Sequence, residues 1–402
     1  MAIPDHQRGS ALLTVTWFLA LIGIIASFLL YRAETEWAAV VNLERNYKFR
    51  QLAEEALHDR LALFLADDPQ GYDTRQDAWL GDGGRFEERR DGYQITVLVE
   101  DEGSKPNINL VSRGFQAVEL RELSIDPLLD WRDPDSEPLM DGAEEDDYQA
   151  LNPPYQPRNG FFSSLEEIKQ VKDGAKLYPV LAPEFTVFGK VNPNTISAAT
   201  FANLLESAGF EKNLAERAAN SFTQYRASPN NRFTQISDFE RLDGITQADW
   251  SRMKPLFQFG GACNLNLARG TGLAVILAEA GYPSGLLAQV VPRQAANPFK
   301  SQDEIRRFFL SANKNIAHPE DYFTVISTVV RYRIWVTQGR FQYYLDTVQE
   351  RFVAGIAKQW RARTLSWRVC LNDEAPEIPQ TDTGEQPVQT SGGPNVQARD
   401  RD

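Results

Sequence analysis

Residues 10–31 read SALLTVTWFLALIGIIASFLLY, an uncharged run fenced by Arg8 and Arg32. About 20 such residues, rising roughly 1.5 Å each in a helix, match a hydrocarbon core of about 30 Å. A helix also satisfies its own backbone inside lipid. The helical pattern continues beyond the membrane edge. Trp37, Val40, Val41, Tyr47, Leu52, Ala56, Leu57, Leu61 and Phe64 recur at three-to-four spacing with charged residues between them. Asp67, Asp68, Pro69, Gln70 and Gly71 then end the pattern. The resulting rod is about 80–90 Å long, so the chain must hang its remaining mass on one end of a single stalk.

Three accounts of the apolar run compete. A cleaved secretory signal needs a small-x-small site after it, but Arg32-Ala33-Glu34-Thr35-Glu36 follows. A plain single-pass anchor is the second. The third is a pilin-type leader, cut after Gly9 to free Ser10, whose helix is kept as the stem of a filament. The amphipathic continuation favours the third. Arg8 on the short side places the main body outside the cytoplasm, because positive charge stays cytoplasmic.

The chain has 402 residues and a net charge of −13. That balance argues against nucleic acid, which rewards phosphate-neutralising Lys and Arg. Cys263 and Cys370 are far apart in sequence and form no CxxC. In an oxidising compartment they could pair; as buried thiols they need no special role. His6, His58 and His318 are scattered, and GxSxG, HExxH and Walker patterns are missing. No catalytic residue is assigned, and no enzyme is expected.

Past the rod, residues 86–100 (FEERRDGYQITVLVE) alternate like a half-buried strand, with a hairpin signal at Asp91-Gly92. A second short strand is expected at 108–111. Strand character returns at 322–338, 340–350 and 365–370. The long middle is predicted to be helical. It contains a partial duplication: Asn192-Pro193-Asn194 and Asn264-Leu265-Asn266 each open a helical run that ends at Gly209 or Gly281. An aromatic followed by Ser-x-x-Glu recurs with Phe162, Phe233 and Phe299, and reads as capping boxes at Ser164/Glu167, Ser237/Glu240 and Ser301/Glu304. Asp243-Gly-Ile-Thr246 resembles the turn of a DNA-binding helix–hairpin–helix, but Glu240 and Asp249 beside it favour a packing role. From Asn372 the composition predicts disorder.

The sharpest polar signal is DWRDPDSEPLMDGAEEDD at 130–147, nine carboxylates with one base, Arg132. Such crowding repels unless water or a cation screens it. Asp130, Asp133 and Asp135, then Glu144 after the Gly142 turn and Asp147 at the close, could converge on one hard cation. Calcium takes six to eight oxygens. The spacing is not an EF-hand, and a solvated acidic loop with helix caps is the alternative.

Together these pieces resemble the K-type minor pseudopilins of the type II secretion pathway. The residues that carry the resemblance are Arg8-Gly9-Ser10-Ala11-Leu12-Leu13, Asp130-Trp131, Asp133-Pro134-Asp135, Gly142-Ala143-Glu144, Tyr148, Pro153-Pro154-Tyr155, Asn159, Leu165-Glu166-Glu167 and the N-x-N helices. The resemblance implies an α+β fold: a pilin-like long N-terminal helix on an antiparallel sheet, with a large, mainly helical domain inserted. The expected divisions are a leader at 1–9, a membrane part at 10–31, helix and first strands at 32–124, the insert at 125–317, closing strands at 318–371 and a tail at 372–402. It further implies structural calcium in the insert, cleavage after Gly9 and methylation of Ser10 by a prepilin peptidase. The body would lie in the periplasm on a single inner-membrane span. Implied partners are I- and J-type minor pseudopilins, the major pseudopilin and the inner-membrane assembly platform, at the tip of a pseudopilus serving the outer-membrane secretin. A type IV pilus minor pilin or another membrane-anchored periplasmic binding module is the alternative. Most pilins carry Glu at the fifth mature position; here it is Thr14.

Overall fold

The computed structural model describes residues 6–379 except 69, 82, 112–122, 134, 229–230, 243–244, 313–317 and 355–358. Helix α1 (His6–Leu65) is one unbroken rod. Its large apolar side chains from Leu12 to Leu43 are all exposed. Its most apolar 18-residue window has mean hydropathy 2.4 with nothing buried, and among the described residues no other helix is long and apolar enough to cross a membrane. In the second half the pattern changes sign. Phe49, Leu52, Ala53, Ala56, Leu57 and Phe64 are buried on one face, the i, i+3, i+4 stripe of a helix lying on a sheet.

The hairpin of β1 (Arg85–Arg90) and β2 (Tyr93–Asp101) turns at Asp91-Gly92, with φ 53° and 82°. Two consecutive positive φ angles match the twist of the flanking strands. Then come α2 (Asp126–Arg132), α3 (Glu145–Gln149), α4 (Gly174–Leu181), α5 (Ala198–Ser207), α6 (Lys212–Ala227) and α7 (Gln247–Met253). After them follow β3 (Cys263–Asn264), α8 (Gly270–Glu279), α9 (Leu287–Ala296), α10 (Gln302–Ala312) and β4 (Phe323–Thr324). Then follow β5 (Val329–Gln338), β6 (Phe341–Ala354) and β7 (Gln359–Leu371). The sheet runs β1-β2-β5-β6-β7 with every neighbour antiparallel, so β2 and β5 meet although all the helices after α1 lie between them in sequence. Val97, Ile334 and Leu345 align across the sheet and share the core with α1. This α+β architecture agrees with the fold class expected from sequence.

The inserted stretch is built from three copies of one unit, where the sequence reading found two. Pro106–Thr186, Val191–Gln258 and Cys263–Thr324 each close on themselves by a short parallel contact at Asn107/Thr186, Val191/Phe257 and Cys263/Phe323. Each opens with N-x-N. The N–H of Asn109, Asn194 and Asn266 donates to Oδ1 of Asn107, Asn192 and Asn264 at 2.9, 3.0 and 3.0 Å. The second Asn then clasps a phenylalanine backbone. Phe162, Phe233 and Phe299 donate their N–H to the Asn109, Asn194 and Asn266 Oδ1, and accept from the same amide's Nδ2. Five residues after each Phe, an acid accepts the N–H of the residue following that Phe: Ser163 to Glu167, Thr234 to Asp238, Lys300 to Glu304.

Several expectations are therefore corrected. Residues 108–111 form a turn, because Asn107 folds the chain locally before a strand can extend. Of the three expected capping serines, Ser301 accepts from the Glu304 N–H, at 3.3 Å. Ser164 makes no side-chain cap, and in the second copy the clasping acid is Asp238 rather than Glu240. The helix–hairpin–helix turn falls partly outside the described residues; Thr246 caps α7 by accepting the Asp249 N–H. On the cysteines, whose pairing the sequence left open, Cys263 is a buried free thiol in the third copy and Cys370 a free thiol on β7. Nor is the start of the tail featureless. Asn372–Glu374 forms a 3-10 turn, Trp335 Nε1 donates to the Pro376 carbonyl at 2.9 Å, and Arg85 Nη1 donates to that of Pro379 at 2.6 Å.

One buried cation joins the parts. Arg351 of β6 is 1% exposed. It donates to the Phe64 carbonyl in the last turn of α1 (2.7 Å), to the Ser327 carbonyl (2.7 Å) and to the Asp73 carboxylate (2.6 Å). The Asp73 carbonyl in turn accepts from the side chains of Asn264 (3.3 Å) and Asn266 (3.1 Å), which open the third copy.

Two stability outcomes follow from these contacts. Asn266→Ala strips both partners from a buried backbone unit, at about 1–3 kcal/mol for each unsatisfied group; urea melts should show a larger loss than for Asn194→Ala, whose site is half-exposed. Arg351→Met should cost about 3–5 kcal/mol because it leaves the buried Asp67–Asp73 pair and the Phe64 and Ser327 carbonyls without their donor. Adding Asp73→Asn should recover part of that loss, and a simple sum of the two single losses would contradict the coupling.

Candidate metal centre

The acidic run is shaped by α2 and the turn that follows it. Trp131 and Leu128 bury α2 in the core of the first copy, and the helix stops at Asp133, whose backbone is extended. Asp130, one turn back, accepts the N–H of Leu139 at 3.1 Å and of Ala143 at 2.9 Å. The loop can close this tightly only over glycine: a Cβ on Gly142 would lie 1.7 Å from the Asp130 carboxylate. At the other end Asp147 accepts the Glu144 N–H at 3.0 Å and caps α3. Trp131, Tyr148 and Tyr155 pack ring to ring beneath the loop, with centroids 5.2 and 5.4 Å apart along the chain of contacts.

Of the five sequence candidates, Asp133, Asp135 and Glu144 converge, with one oxygen of each within 4.8 Å of the others. Asp130, through both oxygens, and Asp147, through Oδ2, accept backbone N–H groups and so hold the loop. Arg132, the one base of the run, is turned away, donating to the Ile108 and Val111 carbonyls. Among the described residues no salt bridge reaches Asp133, Asp135 or Glu144. Glu144 is 5% exposed, and both its carboxylate oxygens, with Asp133 Oδ1, are buried without a hydrogen-bond partner. Burial first, then the charges of Asp135 and Asp130, push the Asp133 carboxyl up to about 6. Burial, then Asp133, Asp130, Asp135 and Asp147, push Glu144 up to about 7.

Sequence reasoning did not assign Asn159 to this site. Its Nδ2 donates to the Asp135 carbonyl at 3.4 Å, and its Oδ1 is buried without a partner. Its φ of 45°, in the left-handed region that Asn tolerates, is visible only in the structure, so no sequence signal beyond residue type pointed to it. A set of crowded, unsatisfied hard oxygens fits a divalent cation such as calcium. A second acidic group, Asp67, Asp73 and Asp77, already holds its cation in Arg351. Gly9 and Ser10 lie on the backbone of α1 near its start.

A long half-buried N-terminal helix on an antiparallel sheet, with an apolar half long enough to cross a membrane left uncovered, defines a pilin-like fold. A family model described as type II secretion system protein K matches residues 99–190, which span the first repeat and the acidic loop. The protein K of Aeromonas hydrophila is 26% identical over 284 residues, covering 60% of this chain and 85% of that protein. That of Pectobacterium carotovorum subsp. carotovorum is 27% identical over 253 residues, 55% of this chain and 76% of that protein. The chain also resembles a solved structure described as the GspK-GspI-GspJ complex from enterotoxigenic Escherichia coli, at 16% identity and TM-score 0.41, covering 84% of this chain and 98% of that one. On these matches the chain is similar to type II secretion system protein K, the K-type minor pseudopilins.

The raised carboxyls have a readable consequence without metal. Their folded-state values lie above the unfolded ones, so they favour the folded state as pH falls and lose that contribution as pH rises through about 6 to 7. In chelator, Glu144→Gln should therefore raise the melting temperature relative to the parent at pH 8 and do so less at pH 5. An equal change at both values would show that Glu144 does not feel its neighbours.

Proposed function

We propose that this chain caps the periplasmic end of a pseudopilus, joining I- and J-type minor pseudopilins to start its assembly and so support export through the outer-membrane secretin. The observation that carries this reading is the placement of the insert. The third repeat attaches through Asp73 and Arg351 at the last turn of α1, the end opposite the exposed apolar half. Bulk at that end obstructs a subunit stacked above it but not one below. Thr14 in place of the usual Glu points the same way. A carboxylate in lipid costs about 2.5–3.5 kcal/mol or more unless paired, and a terminal subunit lacks one neighbour's amine.

In this reading a prepilin peptidase cuts after Gly9 and methylates Ser10. The helix then enters the filament through the assembly platform and beside the major pseudopilin, with the body in the periplasm. The apolar half of α1 and the one-base leader support a single inner-membrane span. Calcium would be held by Asp133, Asp135 and Glu144, supplying positive charge that lets the loop keep its carboxylates ionised. Asp130, Gly142 and Asp147 position that loop.

Thr14→Glu and the parent should be localised by gold-labelled electron microscopy in cells expressing the I- and J-type partners. Label at filament ends is expected for the parent; label along the shaft would refute tip placement. Calcium should raise the melting temperature of the full chain by several degrees at pH 7.5. Asp133→Asn/Asp135→Asn should abolish the rise, and a rise that survives the substitution would remove these ligands.

A further inference from the structure

The face of the sheet away from α1 is crossed by the chain's own tail. Val97, Ile334 and Leu345 share the core with α1, so their neighbours along each strand face the other way. On that second face Trp335 of β5 pairs with Tyr344 of β6, and the two rings pack with centroids 4.9 Å apart. Gln342 of β6 and Arg85 of β1, opposite Leu98, lie on the same face. These side chains form a line of donors. Trp335 Nε1 and Gln342 Nε2 both donate to the Pro376 carbonyl, at 2.9 and 3.0 Å. Arg85 Nη1 donates to the Pro379 carbonyl at 2.6 Å.

The spacing of donors and acceptors suits one backbone conformation. β2 separates β5 from β1, and two strand steps of about 4.8 Å make roughly 9.6 Å. Three residues of polyproline II rise about 9.3 Å, against about 4.5 Å in an α-helix. Ala375, at the entry, has φ −75° and ψ 135°, the polyproline II region. Burial follows the three-residue turn: Ala375 and Ile378 are half-buried, while Pro376, Glu377 and Pro379 are exposed. The prolines therefore stiffen the backbone rather than fill a pocket.

We propose that Trp335, Gln342 and Arg85 form a receptor for a polyproline II segment, and that its ligand is this chain's own residues 375–379, held as a reversible strap. An aromatic surface with an indole N–H aimed at a backbone carbonyl is the usual means of receiving such a segment. The strap is also delivered locally. A 3-10 turn at Asn372–Glu374 leads out of β7, and Asn372 Oδ1 accepts the Gln342 N–H at 3.3 Å. Such a short connection gives an effective concentration on the order of 1 mM. If a free copy of the segment binds with a Kd of about 0.1 mM, the tail is bound roughly tenfold more often than free. While it is bound, the three donors are closed to any other extended segment.

The test uses two full-length chains in detergent, the parent and Ala375→Asp/Ile378→Asp, which places charge at the two inward positions and releases the strap. The probe is a fluorescein-labelled peptide of residues 372–380, NDEAPEIPQ, read by fluorescence polarisation. The released chain should bind it saturably and about tenfold more tightly than the parent, whose own tail competes. A probe with Gly at both proline positions should bind about fivefold or more weakly, because its free form has more freedom to lose. That probe leaves the protein untouched, so its weaker binding cannot come from misfolding. Adding Trp335→Phe to the released chain should weaken binding of the proline probe about threefold or more, the worth of one neutral hydrogen bond. Equal binding to parent and released chain would show that the tail does not occupy this face. Equal binding of the two probes would remove polyproline II recognition, and unchanged affinity with Trp335→Phe would remove the indole. Any of these results, or no saturable binding, overturns the proposal.

Discussion

The Arg351 guanidinium is the contact through which stem, sheet and repeats become one body. Its donors are divided among the end of α1, the Ser327 carbonyl at the entry to β5, and Asp73, and Asp73 passes the connection to Asn264 and Asn266. A buried charge tolerates no loss of its partner, because the desolvation already incurred cannot be recovered. The junction therefore fixes geometry more than it adds stability. It sets where the third copy sits relative to the stem, and the second copy is tied to the third where Asn192 Nδ2 donates to the Asp321 carbonyl at 2.9 Å.

The two carboxylate clusters found among the described residues show the same rule in opposite states. At Asp67 and Asp73 the countercharge is internal, supplied by Arg351. At Asp133, Asp135 and Glu144 the nearest arginine in sequence is committed to the Ile108 and Val111 carbonyls. The loop is nonetheless held shut by Asp130 over Gly142 and by Asp147 under Glu144. A loop held closed around like charges keeps their mutual repulsion unless a countercharge is supplied. The first copy is the longest of the three because it houses this loop between its Asn clasp and its Phe162.

Much of this was legible in the residues. The rod, its two halves and the β1–β2 hairpin follow from local periodicity and from one Asp-Gly pair. The acidic run was legible as a cation candidate because carboxylates at that density cannot be neutral to one another. The first N-x-N, at Asn107–Asn109, was missed because Ile108 and Val111 look like strand residues and the Asn-to-Phe spacing differs in each copy. The Ser-x-x-Glu pattern misled for a related reason: the acid reaches the N–H just after the Phe, so the serine is incidental in two of the three units. Asn159 gave no pattern at all beyond its type.

From the sequence alone came the anchored stem, the acidic balance, the pilin-like order of helix, strands, insert and strands, and the span of residues where a cation would sit. These are set by composition and by contacts between near neighbours. Only the tertiary structure decided which carboxylates converge and which serve as loop staples. It also decided that the cysteines stay apart, that three units rather than two are stacked, and that the start of the tail crosses the sheet to Trp335 and Arg85. Each of those depends on groups distant in sequence being brought within a few ångströms, and charge, desolvation and hydrogen bonding act at that range whatever the spacing along the chain.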